Sequence, residues 1–453
     1  MENLLKSTAE RAAHYLESLD ERSVTPTAEA LSHLSLFDEP FPDVPADPEA
    51  VIALLDEVGS PATVTTAGSR YFGFVIGGSL PAALAANWIA GAWDQNASFT
   101  TLSPVSARLE QVAIRWLLDA LHLPAGCAVG FVTGATQANF AGLAAARHAL
   151  LARQGWDVEA QGLFGAPPIT VVVGEEVHVS LLKALSMLGL GRERVIRVPV
   201  DEQGRMRADS LPPLDAHTIV CLQAGNVNSG AFDPMEAIIP QVKAAKAWVH
   251  VDGAFGLWAA AAPERASLVN GIEAADSWAT DAHKWLNVPY DSGLVFVREP
   301  QQLHAAMAVN AAYLAQGDAR EPSHYTPELS QRARGIEVWA ALRSLGRQGL
   351  ADLIERTCRH AARFAAGLQE AGYTILNEVV LNQVLVSFGD AETTRRVVAA
   401  IQQDGTCWCG GTVWHGQTAM RISVSSWATT EADVERSLEA MIRVASMVRQ
   451  AAL

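Results

Sequence analysis

The sequence predicts an α/β fold: a mostly parallel sheet flanked by helices, with a smaller C-terminal α+β domain. Helical stretches alternate with six β-branched runs between residues 105 and 300. The runs are apolar throughout, which is typical of strands buried on both faces of a helix-covered sheet. Their spacing favours βαβ units in a doubly wound arrangement. The runs are 127–133, 169–174, 194–200, 218–224, 247–253 and 292–297.

The segments before and after this region have other patterns, so three domains are predicted. Residues 1–65 form a helical arm, with an amphipathic first helix and a Pro-rich link before a second helix near Asp47. Residues 66–325 form the large α/β domain, and residues 326–453 form the small α+β domain. The elements expected in the small domain are helices at 327–346 and 349–371, strands at 374–377, 384–388 and 419–425, and a helix from Thr430. Because such arms often pack on a partner subunit, a homodimer is expected.

The composition argues against nucleic acid and membrane as partners. The chain has 453 residues, is 49% hydrophobic and carries a net charge of −16, whereas nucleic acid favours clustered Lys and Arg. The apolar run at 80–93 is shorter than the roughly 20 residues of a membrane helix. Five cysteines, an odd number, fit a reducing cytoplasm. Cys407 and Cys409 lack the spacing of a zinc site, so no metal is expected.

In open α/β sheets, ligands bind at the carboxyl ends of the strands, so the polar residues that follow each run are site candidates. After the first run, Gly134 permits a tight turn, and Ala135 and Thr136 offer N–H groups at a helix start. That arrangement suits a phosphate, although a simple helix cap is the alternative. The fingerprints of dinucleotide and P-loop sites do not occur.

Three further candidates follow the second and fourth runs. His178 opens a helical stretch; it could stack on an aromatic ring or move a proton, or it could be structural. Asn226 and Asn228 stand in a Gly-rich turn, where forming the turn is the alternative role.

The fifth run ends in Asp252, a carboxylate that needs a cationic partner or several donors if it is buried. Ala254 follows and is small enough for a flat ligand to lie close. Downstream, Lys284 stands in a mostly apolar segment. A neutral amine there would form a Schiff base with a carbonyl, although a surface lysine is the alternative. One cofactor, pyridoxal 5′-phosphate, needs a lysine for its aldehyde, a carboxylate for its ring nitrogen and a helix start for its phosphate, so these features together indicate it.

The motifs GATQAN, EEVHVS, AGNVNSGAFDP, WVHVDGAFG and ADSWATDAHKW carry a resemblance that covers residues 50 to 445. The chain resembles the pyridoxal-phosphate-dependent group II amino-acid decarboxylases, which include the aromatic amino-acid, glutamate and cysteine-sulfinate decarboxylases. The resemblance implies the aspartate aminotransferase-like fold, called fold type I, and a homodimer with the active site at the subunit interface.

The resemblance also implies residue roles. Lys284 would form the Schiff base with the cofactor, Asp252 would pair with the pyridinium nitrogen, Ala254 would lie under the ring and His178 would stack over it. Asn226 stands where the family usually has a threonine, so it is a less certain cofactor contact. The residues expected at the phosphate are Ala135, Thr136 and His283.

A tyrosine on a mobile loop is thought to protonate the carbanion in this family, and relatives with phenylalanine there tend to make aldehydes. Tyr313 stands at the corresponding place, with Tyr325 as the second candidate and a packed aromatic side chain as the alternative role. The pocket segment retains Tyr71 and Phe72 but has Val75, Ile76 and Gly77 at later positions, and residues 94–96 are polar. The expected reaction is therefore decarboxylation of an L-amino acid, not a large aromatic one, to the amine and CO2 through an external aldimine.

Other reactions remain open at this point. An aminotransferase would use the same cofactor residues, and Arg421 on a C-terminal strand could bind a substrate carboxylate. A lyase, an aldolase or an aldehyde-forming decarboxylase shares every residue named above. A catalytically silent cofactor-binding homologue would not need an intact Lys284 and Asp252, and a nicotinamide dehydrogenase would need its missing fingerprint.

Overall fold

The computed structural model describes residues 1–309 and 320–451, which pack into two compact units. The first unit comprises Met1–Gly78, His360–Leu376 and Val384–Leu453, and the second comprises Ser79–Arg359 and Asn377–Gln383. The division into an arm, a large and a small domain stays a prediction. Within the described ranges, no helix is both long and apolar enough to cross a membrane.

The helices of the described residues alternate with strands through the second unit. The helices are α1 (Glu2–Glu17), α2 (Ala28–His33), α3 (Pro48–Leu54), α4 (Ser60–Ala62), α5 (Pro81–Trp93), α6 (Pro104–Ala120), α7 (Ala135–Ala152), α8 (Val158–Gln161), α9 (Val179–Met187), α10 (Met235–Ala244), α11 (Pro300–Met307), α12 (Arg334–Glu370), α13 (Ala391–Asp404) and α14 (Glu431–Gln450). The strands are β1 (Ala128–Val132), β2 (Thr170–Gly174), β3 (Ile196–Val198), β4 (Thr218–Gln223), β5 (Trp248–Asp252), β6 (Ser277–Asp281), β7 (Gly293–Val297), β8 (Thr374–Ile375), β9 (Gln383–Ser387), β10 (Gly410–Trp414) and β11 (Gln417–Ser423).

The second unit is built on a seven-stranded sheet in the order β1-β7-β6-β5-β4-β2-β3. Strands β2 to β6 pair in parallel, and β7 is antiparallel to both of its neighbours. Every residue of β1, β5, β6 and β7 is buried. This confirms the mostly parallel, helix-covered sheet that the apolar runs predicted.

Strand β6 was not among the six runs, although it lies in the middle of the sheet. Its sequence, SWATD, contains three polar residues and so lacks an apolar run. Those residues have partners inside the protein: the Ser277 hydroxyl, for example, accepts a hydrogen bond from the Trp248 indole. These hydrogen bonds replace the ones that the polar groups would make to water, so the strand can be buried.

Helix α7 packs across β5, β6, β7 and β1. Its buried face is made largely of small residues, among them Ala138, Ala141, Gly142 and Ala145. Small side chains let the helix backbone lie close to the sheet, and they place the start of α7 beside the carboxyl ends of the central strands.

The first unit contains an antiparallel four-stranded sheet in the order β10-β11-β9-β8; α13 packs against this sheet, and α14 packs on α13. The two helices expected near 327–346 and 349–371 are the single element α12, with a non-helical residue at Gly346. The break therefore falls where the sequence placed the gap between them. Trp408 stacks on Tyr71, and its neighbours Cys407 and Cys409 are buried.

Candidate active site

Asp281 joins three parts of the site through one carboxylate. It is the last residue of β6 and is buried. Its Oδ2 lies 2.8 Å from the Lys284 amine, and its Oδ1 accepts the N–H of Ala135, at the start of α7, at 2.5 Å. The lysine side chain is 19% exposed, so its amine is held by an ion pair at the edge of solvent. Sequence analysis missed Asp281 because the strand that it ends was not predicted; the available signal was its place three residues before Lys284 in the motif ADSWATDAHKW.

Asp252 ends the neighbouring strand β5 and is only 5% exposed. Its Oδ2 accepts a hydrogen bond from Asn139 Nδ2 at 3.0 Å, and its Oδ1 accepts the N–H of Ala254 at 3.2 Å. Burial raises the pKa of the Asp252 carboxyl, whereas the charge of His178, the Asn139 hydrogen bond and the charge of Lys284 lower it. A buried acid with these neighbours is suited to receive a cationic ring nitrogen.

His283 lies beside the start of α7. Its Nδ1 accepts the N–H of Ser292 at 3.0 Å, its Nε2 lies 3.4 Å from Asp281 Oδ1, and its ring packs against Tyr290 with centroids 4.2 Å apart. Burial lowers the pKa of His283, although the charge of Asp281 opposes the shift. A Cβ added at Gly134 would lie 3.1 Å from the His283 ring, so this end of the site has room for little more than a glycine.

His178 and the Asn226 turn are fixed by local hydrogen bonds. His178 caps α9, where its Nδ1 accepts the N–H of Ser180 at 3.3 Å. The side-chain Oδ1 of Asn226 accepts the N–H of Asn228 at 2.8 Å, and its Nδ2 donates to Gln223 Oε1 at 3.2 Å. Gln223 in turn donates to the carbonyl of Glu176, close to His178 in the chain. Asn226 therefore has the turn-forming role that the sequence left open, and its cofactor contact stays a prediction.

The structure brings most of the expected residues to one end of the sheet. The start of α7 supplies Ala135 and the half-buried Thr136, although the Ala135 N–H is directed at Asp281. Ala254 follows Asp252 directly and is half-buried.

Tyr325 and Arg421 are the remaining candidates within the described residues. Tyr313 lies outside the described residues. Tyr325 packs on the core that contains the buried face of α7, and the Arg320 guanidinium lies over its ring at 4.5 Å from the centroid. Arg421 belongs to the first unit, where burial lowers the pKa of its guanidinium.

Comparison with known proteins identifies the family. Residues 31–389 match the pyridoxal-dependent decarboxylase conserved domain, which is most of the chain. The chain therefore belongs to the family of pyridoxal-dependent decarboxylases, as the sequence motifs indicated. It is 26% identical over 419 residues to tryptophan decarboxylase 1 of Oryza sativa subsp. japonica, with 84% of this chain and 80% of the relative covered. It is 28% identical over 384 residues to L-2,4-diaminobutyrate decarboxylase of Rhizobium meliloti, with 79% and 74% covered.

Solved structures share the fold. The Oryza sativa TDC structure with PLP and tryptamine superposes with a TM-score of 0.90 at 21% identity, covering 98% of this chain and 97% of that one. Mouse CSAD in its apo form gives a TM-score of 0.89 at 21% identity, with 98% of each chain covered. This confirms the aspartate aminotransferase-like fold predicted from the resemblance.

The protein is a pyridoxal-phosphate-dependent carboxy-lyase, and the groups present in the site fit that cofactor. Lys284 offers an amine for the aldehyde, and Asp252 offers a buried carboxylate for the ring nitrogen. The start of α7, next to His283, offers a helix terminus for the phosphate. The small residue Ala254 leaves space beside Asp252 for a planar ring.

Proposed function

We propose that the protein removes the carboxylate of an L-amino acid with a small or polar side chain, giving the amine and CO2. The observation that carries the proposal is the convergence of Lys284, Asp252 and the start of α7 at the carboxyl ends of β5 and β6. Pyridoxal phosphate, when bound, supplies the electron sink that makes loss of CO2 from Cα possible.

The residues of the chain then have separate tasks. Lys284 would hold the cofactor aldehyde, and Asp252 would keep a proton on the ring nitrogen. Thr136 and His283, together with the Ala135 N–H, would hold the phosphate. Because Asp281 engages both that N–H and the Lys284 amine, it would set the position of the amine before the cofactor binds.

Return of a proton to Cα is assigned to Tyr313, with help from His178, on the basis of the family resemblance. Ala254 below the ring and His178 above it would keep the ring flat against the sheet. The orientation of the ring matters because the bond from Cα to the carboxylate must be perpendicular to the ring to overlap with its π system. The homodimer, with the site at the subunit interface, is also part of this proposal.

A cavity with several polar side chains in its lining supports the choice of a polar substrate. The cavity has a volume of about 270 Å³, and its polar lining consists of Asn87, Asp94, Gln95, Arg332 and Glu337. Such a lining does not suit an indole or phenyl ring.

One residue of the cavity lining, Arg332, contacts the segment that follows Lys284. Arg332 Nη1 donates to the carbonyl of Tyr290 at 3.3 Å, and the Tyr290 ring packs on His283. Asn96, also polar, is engaged by the backbone N–H groups of Ser98 and Gln331, so its role is to form the loop. The polar preference therefore depends on Asp94, Gln95 and the residues around them.

The test is CO2 release from the common L-amino acids and 2,4-diaminobutyrate, with the organic product identified by mass spectrometry. We expect one polar substrate to give CO2 and the amine in equal amounts. Keto acid or aldehyde in place of the amine would contradict simple decarboxylation. Fastest turnover of tryptophan or tyrosine would contradict the substrate class alone.

Two lysine variants, one at Lys284 and one at an exposed lysine, test whether the cofactor is attached to Lys284. Borohydride reduction of the holoenzyme should fix the cofactor on Lys284, as read by peptide mass spectrometry. Lys284→Ala should abolish both this attachment and CO2 release. Lys183→Ala, at an exposed position of α9, should change neither.

A further inference from the structure

A chain of hydrogen bonds runs from the back of Asp252 into the core. The Trp248 indole nitrogen lies 2.9 Å from Ser277 Oγ, which lies 2.8 Å from His250 Nδ1. His250 Nε2 lies 2.8 Å from Asn139 Oδ1, and Asn139 Nδ2 lies 3.0 Å from Asp252 Oδ2. Asn139, His250 and Ser277 have no solvent exposure. We call these four residues behind Asp252 the carboxylate relay.

The two ends of the relay determine which group donates and which accepts in each of its hydrogen bonds. An indole N–H can only donate, and an ionised carboxylate can only accept. Ser277 therefore accepts from Trp248 and gives its own hydrogen to His250 Nδ1. His250 must then carry its proton on Nε2 and donate to the Asn139 oxygen, which leaves the Asn139 amide to donate to Asp252. Reversing any member would place two donors or two acceptors face to face.

His250 takes part as a neutral group. Burial lowers its pKa to about 3, so it carries no charge near neutral pH. The relay therefore brings aligned dipoles to Asp252 instead of a charge, and each donor points toward the carboxylate. In a buried environment such aligned hydrogen bonds polarise and strengthen one another.

The packing leaves the relay little freedom. His250 and Asp252 are two residues apart on β5, so their side chains lie on the same face, and Ser277 stands opposite His250 in the β5–β6 register. Asn139 comes from α7, whose Gly142 passes so close that an added Cβ would lie 2.8 Å from His250 Cε1. Three elements thus fix the ring between them.

We propose that Asn139, His250, Ser277 and Trp248 are positioning residues that orient Asp252 and hold it as a carboxylate for the pyridinium nitrogen of the cofactor. Without the relay, burial would favour the neutral acid, which pairs poorly with a protonated ring nitrogen. The inference rests on the proposed role of Asp252, and it assigns a function to four buried residues that do not touch the reacting atoms.

The experiment measures the affinity of the full-length apo protein for pyridoxal phosphate by fluorescence titration, together with the absorbance spectrum of the bound cofactor. Asn139→Leu and His250→Leu each remove one member of the relay; leucine has the branching of asparagine and nearly the volume of histidine. We expect them to bind the cofactor about 10- to 100-fold more weakly, the range for a lost hydrogen bond to a charged group. The ratio of the visible to the near-ultraviolet band should shift, because the ring nitrogen loses its ionised partner.

Two further variants separate positioning from packing. His250→Gln keeps a donor at the place of Nε2 and should recover most of the affinity and the wild-type spectrum. Ser277→Ala, a small change, should weaken binding several-fold. Ser106→Ala is the control, because that serine is equally buried and its hydroxyl has no hydrogen-bond partner among the described residues.

The results distinguish a positioning role of the relay from a role in packing alone. Wild-type affinity and spectrum in Asn139→Leu or His250→Leu would overturn the proposal. Equal losses in His250→Gln and His250→Leu would also overturn it, since packing alone would then explain them. If the leucine variants fail to fold, Ser277→Ala and His250→Gln decide. Because binding is measured without substrate, a wild-type protein that binds the cofactor but releases no CO2 would refute the proposed function and leave this inference intact.

Discussion

Gly142→Ala tests how closely α7 must approach the sheet at His250. The new Cβ would lie 2.8 Å from His250 Cε1, 3.1 Å from Nδ1 and 3.6 Å from Ser277 Cβ. A contact below 3 Å forces a shift, yet both ring nitrogens of His250 are hydrogen-bonded within the core. The ring therefore cannot move without breaking the relay.

The magnitude follows from two opposing effects. Alanine in place of glycine inside a helix stabilises by about 1 kcal/mol. Overpacking a closely packed core costs about 1–3 kcal/mol. The net change in the free energy of unfolding should be a loss of up to about 2 kcal/mol, since the two effects oppose each other.

Gly91→Ala is the matched control, because Gly91 also lies inside a helix and an added Cβ there meets nothing within 4 Å. The free energy of unfolding of Gly91→Ala should rise by about 1 kcal/mol, because alanine has the higher helix propensity. The assay is urea unfolding of the apo protein followed by circular dichroism, with the midpoints of both variants compared at constant slope. If Gly142→Ala proved as stable as Gly91→Ala, the argument for a tight α7–His250 contact would fail.

Three further predictions concern buried polar groups. Asp281→Ala should destabilise the apo protein by about 1–3 kcal/mol, because the Ala135 N–H loses its acceptor. Asp281→Asn should destabilise it less, because the amide oxygen can still accept that N–H. Urea unfolding of both variants measures the difference. Burial raises the pKa of Asp233 to about 6 from an ordinary 3.8, so its contribution to stability is full below pH 3.8 and is lost as the pH rises through 6. The free energy of unfolding, measured between pH 7 and 5, should therefore rise on acidification by about 1 kcal/mol more in the wild type than in Asp233→Asn, and parallel pH profiles would contradict this. Thr357→Val should cost about 1–3 kcal/mol, because the buried Trp285 indole N–H loses its acceptor, whereas Thr357→Ser should be nearly neutral.

The strands that could be predicted from the sequence are those whose residues are mostly apolar. Runs such as 218–224 and 247–253 correspond to β4 and β5 within one or two residues. Strand β6 was missed because Ser277, Thr280 and Asp281 interrupt its apolar character. Their polar groups are satisfied by partners from other elements, which a single window of sequence does not contain.

The site divides in the same way. Lys284 and Asp252 were predicted because each stands out within its own segment and the chemistry of one cofactor needs both. Asn226 was recognised as a polar residue at a strand end, but its hydrogen bonds to the turn emerge only from the folded backbone. Gln223, which joins that turn to the segment of His178, gave no signal apart from its position at the end of a run.

The sequence by itself determined the class of fold, the cofactor and the family, because apolar runs and the motifs around Lys284 are local patterns. Only the tertiary structure decided that Asp281 holds the lysine and the start of α7 together, and that Asn139, His250 and Ser277 stand in line behind Asp252. The physical reason is that hydrogen-bond partners are chosen by strand register and helix packing. Those bring together residues far apart in the chain, whose spacing along the sequence carries no sign of the contact.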